Sequence, residues 1–313
     1  MSNLESIAAA ETPAANPAPV GPAGAKTDKP RSLAGDAWRD LRRNPIFWVA
    51  SGLVLLFVVM ALVPQLFTPA DPASCALSRQ YGAPSGRAWF GYDFQGCDVF
   101  ARTVYGARAS IQVGVFAMLL AGAIALVVGL SSGYFGGWVD TILSRLTDIV
   151  LGIPLLLAAI VLGKRLAGDR QGTGIWTVVI VLGVLGWTTA SRVMRSSVIS
   201  AKNQDYVAAA RMLGAGHGRI MFRHILPNAL APFVVVLTIA LGGFISVEAT
   251  LSFLGIGLKA PAVSWGIDIS SSQLRVRENA TPLMAPSAFL ALTVLAFIML
   301  GDAIRDAFDP KLR

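Results

Sequence analysis

Six long apolar runs constrain this chain more than any other feature of its sequence. Each is long enough to cross a bilayer, for which a helix needs about 20 predominantly apolar residues. The runs cover residues 46–67, 111–133, 141–163, 175–194, 230–254 and 283–301. Backbone polar groups in lipid must be satisfied internally, and the strict alternation of a membrane β-barrel strand is absent. The sequence therefore predicts an all-α, polytopic membrane protein with six transmembrane helices.

Composition agrees with this class and limits the partners. Only 14% of the 313 residues are charged, whereas about 25% are charged in a typical soluble domain. The net charge of +8 is best explained by membrane topology, because no soluble basic face remains to carry it. We therefore expect a lipid bilayer as the surroundings and no nucleic acid as a partner.

The distribution of Lys and Arg predicts the orientation of the spans. Loops on the cytoplasmic side retain an excess of these residues. The most basic segment between two spans is 196–228, which we call the basic loop. With this loop inside, the cytoplasmic segments hold more Lys and Arg than the outer ones. The prediction is a multi-pass protein of the cell membrane with both termini cytoplasmic.

The remaining segments follow from composition and from the positions of the spans. Residues 1–34 are rich in Ala, Pro and Gly, with neither apolar periodicity nor a signal-peptide pattern, which indicates a disordered cytoplasmic tail. Residues 35–68 are predicted to form an amphipathic surface helix with the first span, and residues 69–108 an extracytoplasmic segment. Residues 109–302 are predicted to form a five-helix core that contains the basic loop, and residues 303–313 a cytoplasmic tail.

The basic loop has an internal pattern of its own. Residues 206–213 are rich in Ala and predict a short helix, which glycines at 214, 216 and 218 then interrupt. A second short helix is expected at 218–225. Pro227 fits the first turn of the span that follows, where a missing N–H costs nothing. The predicted object is a helix, a glycine turn and a second helix.

This spacing resembles the coupling loop of ABC importer permeases, in which Glu-Ala-Ala is followed by Gly and later by Leu-Pro. Ala208-Ala209-Ala210 occupies the Glu-Ala-Ala position, and Gly214 and Leu226-Pro227 hold their places. Because Ala208 replaces the carboxylate, no salt bridge is expected from it. The resemblance implies an ATPase contact made by Asp205, Tyr206, Ala208, Ala209, Ala210, Gly214, Arg223, His224, Leu226 and Pro227.

Further motifs are similar to those of the C-type subunit in the dipeptide, oligopeptide and nickel permease subfamily. They are GYDFQGCDVFARTVYGARAS from Gly91, GYFGGWVD from Gly133, LSFLGIG from Leu251 and GDAIRDAFDP from Gly301. The resemblance implies the fold of a type I ABC importer permease. It also implies a complex with a second homologous permease, two ATPase subunits and an extracytoplasmic substrate-binding protein.

The function implied by the resemblance is ATP-driven import of di- or oligopeptides. The chain has no G-x-x-x-x-G-K-[ST] loop, so we expect ATP and Mg²⁺ in the partner ATPases, no cofactor in this chain, and no enzymatic activity of its own. One alternative is an importer of the same type for another solute, such as a nickel chelate or haem. A second is an ion-coupled secondary transporter, which the lack of an internal repeat disfavours.

Charged residues within the spans need partners, because a charge at the bilayer centre costs about 2.5–3.5 kcal/mol on insertion scales. Arg145 and Asp148 lie three residues apart on one helical face. We expect them to pair with each other, with substrate contact as the alternative. Glu248 lies alone in the fifth span, and either a pair with the partner permease or a place along the translocation path would account for it.

Cys75 and Cys97 are the only cysteines, and both fall in the predicted extracytoplasmic segment. Disulfides persist outside the cytoplasm and are rare inside it. The placement predicts a bond between them, the alternative being two unrelated thiols.

Overall fold

The structure, a computed structural model, describes residues 33–168 and 174–308. The tail predicted to be disordered therefore lies outside the described residues except for its last two positions, and so does the end of the predicted C-terminal tail. Within the described ranges the regular structure is helical, apart from one isolated bridge between Tyr92 and Asp98. The prediction of an all-α protein is confirmed.

The α-helices of the described chain follow one another along nearly its whole length. In chain order they are α1 Leu33–Arg43, α2 Pro45–Leu62, α3 Val99–Phe135, α4 Gly137–Gly152, α5 Leu155–Ala167, α6 Ile175–Leu185, α7 Thr188–Lys202, α8 Asp205–Met212, α9 His217–Arg219, α10 Leu226–Phe253, α11 Trp265–Ser272 and α12 Thr281–Phe308. A π-helical stretch, Ile220–Ile225, joins α9 to α10.

Four helical segments of the described chain are long and apolar enough to cross a membrane by themselves: α2, α3, α12 and the run His217–Phe253. Two more candidate spans are bent pairs, α4 with α5 at 90° and α6 with α7 at 44°. Counting each pair as one span gives six, which agrees with the predicted number.

The two bent spans differ from the straight helices expected at 141–163 and 175–194. Pro154 causes the first break, because a proline disfavours helical geometry in the residue before it. Ile153 is accordingly extended, with φ −88° and ψ 124°. The second break follows α6 at Gly186, a residue type that is costly inside a helix. Pro154 and Gly186 are both visible in the sequence, but the length of the apolar runs alone favours straight helices.

Helix α3 is the centre of the bundle and contacts α2, α6, α7 and α10. Its 37 residues correspond to a length of about 55 Å. At Gly129 the backbone of α7 comes so close that an added Cβ would lie 2.6 Å from the Ser191 carbonyl oxygen. Small residues permit this approach between membrane helices. The two helices therefore pack backbone to backbone over part of their length.

The first turn of α3 lies next to the segment that precedes it. The Asp98 carboxylate accepts a hydrogen bond from the Ala101 N–H at 3.0 Å, which is an N-terminal cap. Because of this cap, α3 begins at Val99, within the segment predicted to be extracytoplasmic. We call this end of the bundle, which holds both cysteines, the disulfide end. The opposite end holds the basic loop, and we call it the loop end.

Side chains fasten the disulfide end to the rest of the chain. Arg102 on α3 donates through Nε to Asp268 Oδ1 on α11 at 3.0 Å. The Tyr81 hydroxyl donates to the Glu278 carboxylate, and this hydrogen bond raises the pKa of the Tyr81 phenol. The segment between α2 and α3 is thus tied to α3, to α11 and to the loop before α12.

The two cysteines expected to pair are joined in the structure. The Cα atoms of Cys75 and Cys97 lie 4.1 Å apart, and the bond closes a sequence separation of 22 residues.

Removing this bond should loosen the disulfide end. A Cys75→Ala/Cys97→Ala variant should lose about 3 kcal/mol of stability, the loop-closure value for this length in the chain-entropy model. Thermal unfolding with and without reductant measures the loss, and reduced wild type should match the variant. Two free thiols titrated in non-reduced protein would contradict the assignment.

The amphipathic helix predicted before the first span is α1, and it packs at the loop end. Leu41 is buried in a small cluster with Ala303 and Ala307 of α12. Trp38 stacks edge-on with Phe47 at 6.2 Å between ring centroids. The helix therefore lies against the end of α12.

Candidate functional site

The first part of the basic loop is a helix with a glycine end. Helix α8, Asp205–Met212, agrees within one residue with the helix predicted at 206–213. Gly214 has φ +79°, in the left-handed region that glycine adopts without penalty. The Ala215 N–H donates to the Ala210 carbonyl and the Gly214 N–H to the Arg211 carbonyl, each at 3.0 Å. This pair of bonds is the Schellman motif that ends many helices.

The second part differs from the prediction of a separate short helix at 218–225. The chain is helical without interruption over His217–Phe253, and the Leu226 N–H donates to the Met221 carbonyl, five residues back. Pro227 lacks an N–H, and its ring crowds the carbonyl four residues before it. The π-helical widening at Ile220–Ile225 lies at this point. Pro227 therefore sits inside a continuous helix rather than at the start of a new one.

One face of the basic loop is built into the core of the protein. Val207 and Ile225 are 0% exposed, and Ala210 and Ile220 are also buried. Val207, Ile220 and Ile225 belong to the same cluster as residues of α3, α6 and α7. The loop is consequently a fixed part of the bundle.

Large apolar side chains are exposed on the opposite face of the loop. Met212 is 83% and Leu213 88% exposed, and Tyr206 and Phe222 are exposed as well. Isolated exposed apolar residues are common on proteins, but a contiguous group on a short projection marks an interaction surface. The Glu-Ala-Ala, Gly and Leu-Pro positions of the family motif include neither Met212 nor Leu213, although their place beside Arg211 and Gly214 could have indicated them.

The predicted contact residues divide in the same way. Ala210 is buried, and His224 and Leu226 are half-buried. The others are exposed on the loop: Asp205, Tyr206, Ala208, Ala209, Gly214, Arg223 and Pro227.

Three side chains connect the loop and the end of α7 to the end of α3. The hydroxyl of buried Tyr134 lies 2.8 Å from His217 Nδ1. Lys202 donates through Nζ to the Tyr134 carbonyl, and its ammonium lies 5.6 Å from the centroid of the Tyr134 ring. Displacement of the loop would therefore be felt at the last turn of both helices. Tyr134 belongs to the GYFGGWVD motif, but nothing in that motif indicates its contact with the loop.

The two broken spans meet at an apolar cavity of about 530 Å³. Its lining includes residues on both sides of each break, Ile153 and Pro154 at one and Gly186 and Thr188 at the other, together with one side of α10. Irregular backbone at membrane depth is tolerated where it is buried in protein or lines a cavity.

Two ion pairs connect α4 with α7. Arg195 holds Asp140 through two contacts, Nε–Oδ1 at 2.5 Å and Nη2–Oδ2 at 2.6 Å. Arg192 Nη2 contacts Asp148 Oδ1 at 2.6 Å. The expected Arg145–Asp148 pair is therefore wrong. A pair three residues apart on one helix is worth only about 0.2–0.5 kcal/mol, and an arginine on the neighbouring helix competes with it successfully.

Glu248 is inside this chain, contrary to both interpretations of it. Its side chain is 0% exposed, so it neither lines the apolar cavity nor reaches the surface of this chain. Ser252 donates its hydroxyl to Glu248 Oε1 at 2.9 Å and accepts the Leu258 N–H at 3.0 Å. Through Ser252, the carboxyl group holds the chain that follows α10.

Comparison with known proteins places this geometry in a family. Residues 125–313 match the model of the binding-protein-dependent transport system inner membrane component, and residues 32–84 match the N-terminal transmembrane domain of oligopeptide transport permease C.

Curated relatives match along most of their length. The dipeptide transport system permease protein DppC of Alkalihalophilus pseudofirmus is 37% identical over 278 residues, covering 89% of this chain and 90% of the relative. The oligopeptide transport system permease protein OppC of Bacillus subtilis is 37% identical over 285 residues, covering 91% and 92%.

Solved structures share the fold at lower identity. An amino acid ABC transporter with histidines superposes with a TM-score of 0.51 at 17% identity, covering 64% of this chain and 91% of that one. An inward-facing MetNI methionine ABC transporter gives 0.51 at 21% identity, covering 66% and 96%. The chain therefore belongs to the family of binding-protein-dependent transport system inner membrane components, the multi-pass permease subunits of ABC importers.

Proposed function

We propose that this chain is the C-type permease subunit of an ATP-driven importer of di- or oligopeptides. It forms the translocation path with a second homologous permease, and a substrate-binding protein delivers the peptide outside. The observation that carries the proposal is the two-faced basic loop. Its buried face is part of the core, while Met212 and Leu213 project 83% and 88% exposed. Its relatives DppC and OppC supply the peptide substrate class.

The proposed mechanism follows the contacts of the loop. Two ATPase subunits, which bind ATP and Mg²⁺, grip the exposed face and move when they close around the nucleotide. Because His217 of the loop contacts Tyr134 of α3, and Lys202 joins the end of α7 to the same tyrosine, the motion passes to those helices as a rigid-body displacement. Helix α7 continues to the break at Gly186, beside the apolar cavity. Opening and closing of that cavity is the step that moves the peptide.

This mechanism requires the loop end to be cytoplasmic, with both termini on that side. In a Cys75→Ser/Cys97→Ser background, a thiol introduced by Arg87→Cys should react with an impermeant reagent added outside intact cells. A thiol introduced by His217→Cys should react only after permeabilisation. Both positions are exposed in the structure. Labelling at position 217 from outside intact cells would contradict the orientation.

The function itself is tested on the complex. Purification of the chain from its host should bring along a sister permease and two ATPase subunits. After reconstitution with the binding protein, a series of peptides of increasing length should stimulate ATP hydrolysis. Stimulation by a nickel chelate or haem, and by no peptide, would change the substrate class, while isolation of the chain without any ATPase would reject the proposal.

A further inference from the structure

A polar cleft of about 450 Å³ lies between α3, α4 and α7 on the side of the apolar cavity nearer the loop end. Its volume falls within the range of small-ligand pockets, roughly 300–1,000 Å³. Its lining includes the side chains of Ser144, Thr147, Asp148, Ser191 and Arg192. It is thus a chamber of both charges and several hydroxyls within a mostly apolar bundle.

The cleft and the apolar cavity follow one another along α4 and α7. On α4, Thr147 and Asp148 line the cleft, and Val150 and Leu151 line the cavity. On α7, the cavity residue Thr188 lies three positions before Ser191 of the cleft, on the same side of the helix. The cleft therefore lies next to the cavity in the direction of the loop end.

The two ion pairs at the cleft are unequal. Asp140 is held by two contacts from Arg195 and also accepts hydrogen bonds from the hydroxyls of Ser132 and Ser144. Asp148 and Arg192 share one contact, at 2.6 Å, and their side chains remain 50% and 55% exposed. An exposed pair with a single contact contributes little net stability. The Asp140–Arg195 pair therefore holds α4 against α7, whereas the Asp148–Arg192 pair can open.

The hydroxyls of the cleft have their donors committed. Ser144 donates to Asp140, Thr147 to the Leu143 carbonyl and Ser191 to the Thr188 carbonyl. A hydroxyl that has used its hydrogen still has acceptor lone pairs. These groups therefore favour a ligand rich in N–H donors, such as a peptide or an ammonium group.

We propose that the Asp148–Arg192 pair is an exit site for free peptides, in which Asp148 takes the α-ammonium group and Arg192 the α-carboxylate. The proposal rests on the function proposed above and adds a site to it. A zwitterion exchanges one ion pair for two, so no uncompensated charge is left at membrane depth, where it would be costly. The planar guanidinium of Arg192 also matches a carboxylate in bidentate geometry. Peptides with a blocked terminus would leave one member unpaired.

The test measures direct binding to the reconstituted complex without nucleotide or binding protein. Equilibrium dialysis compares radiolabelled dialanine, N-acetyl-dialanine and dialanine amide. In wild type, each blocked form should bind about tenfold more weakly, because each loses a charge-assisted contact. In Asp148→Asn the penalty for acetylation should vanish while that for amidation remains. In Arg192→Gln the reverse should hold.

Two variants serve as controls. Asp140→Asn makes the same change on the same helix and should keep both penalties. Arg192→Lys keeps a cation that can pair with Asp148, and it should keep the amidation penalty. Equal binding of the three ligands by wild type, or an acetylation penalty that persists in Asp148→Asn, would overturn the site. Failure of peptide-loaded binding protein to stimulate ATP hydrolysis would instead reject the function, so the two failures are distinguishable.

Discussion

Leu213→Asp should abolish ATP-driven uptake while leaving the chain inserted in the membrane. Leu213 is 88% exposed at the tip of the basic loop, so its side chain contributes little to folding. Truncation of a side chain that becomes buried at the centre of an interface can cost about 2 kcal/mol or more, and a carboxylate in its place must also be desolvated. Co-purification of the ATPase subunits and peptide uptake by proteoliposomes measure the loss.

A matched control is the same change at the disulfide end. Leu77 is also a largely exposed leucine, at 76%, but it lies far from the loop. Leu77→Asp should keep the ATPase subunits bound. If Leu213→Asp retains its ATPases and its uptake, the exposed face of the basic loop is not the docking surface.

Gly129→Val should produce the largest loss of stability among glycine substitutions in the spans. Its Cβ would lie 2.6 Å from both the Ser191 carbonyl oxygen and Met194 Cβ. The carbonyl is backbone and cannot rotate away, so α3 and α7 must separate. Overpacking of this kind costs about 1–3 kcal/mol and sometimes more. Thermal unfolding of the purified chain, with the yield of membrane-inserted protein, measures the effect.

Gly243→Val on α10 provides the comparison. Nothing lies within 4 Å of a Cβ built at Gly243, so this variant should unfold close to the wild-type temperature. Equal destabilisation by the two substitutions would show that the loss arises from a general intolerance of valine at glycine positions. The close approach of α3 and α7 would then not be the cause.

The general architecture is predictable because it depends on local quantities. The length of an apolar run decides whether a segment can span a bilayer. In the basic loop, Gly214 indicates the turn, because few other residues accept its positive φ. Helix α3 begins twelve residues before the apolar run that indicates its span, because Asp98 caps a helix whose first turns are polar enough to resemble a loop.

The remaining errors concern competition between partners, which a single sequence does not reveal. Asp148 has a candidate three residues away in Arg145, yet Arg192 from another helix reaches it. A lone Glu248 favours a neighbour or the path, yet the packing of the bundle buries its side chain inside this chain. Pro227 is typical of a helix start, whereas a π-helical stretch accommodates it within a continuous helix. In each case tertiary packing selects among local options of similar free energy.

The breaks in the two bent spans also place main-chain polar groups beside the apolar cavity. Helix α5 begins without a side-chain cap, and so does α7. The first N–H groups of a helix have no intrahelical acceptor, so the main chain itself supplies donors beside the apolar cavity. No substitution of a lining side chain removes them. The lining side chains can therefore be replaced by other apolar residues, which changes the width and shape of the cavity, without removing the main-chain donors.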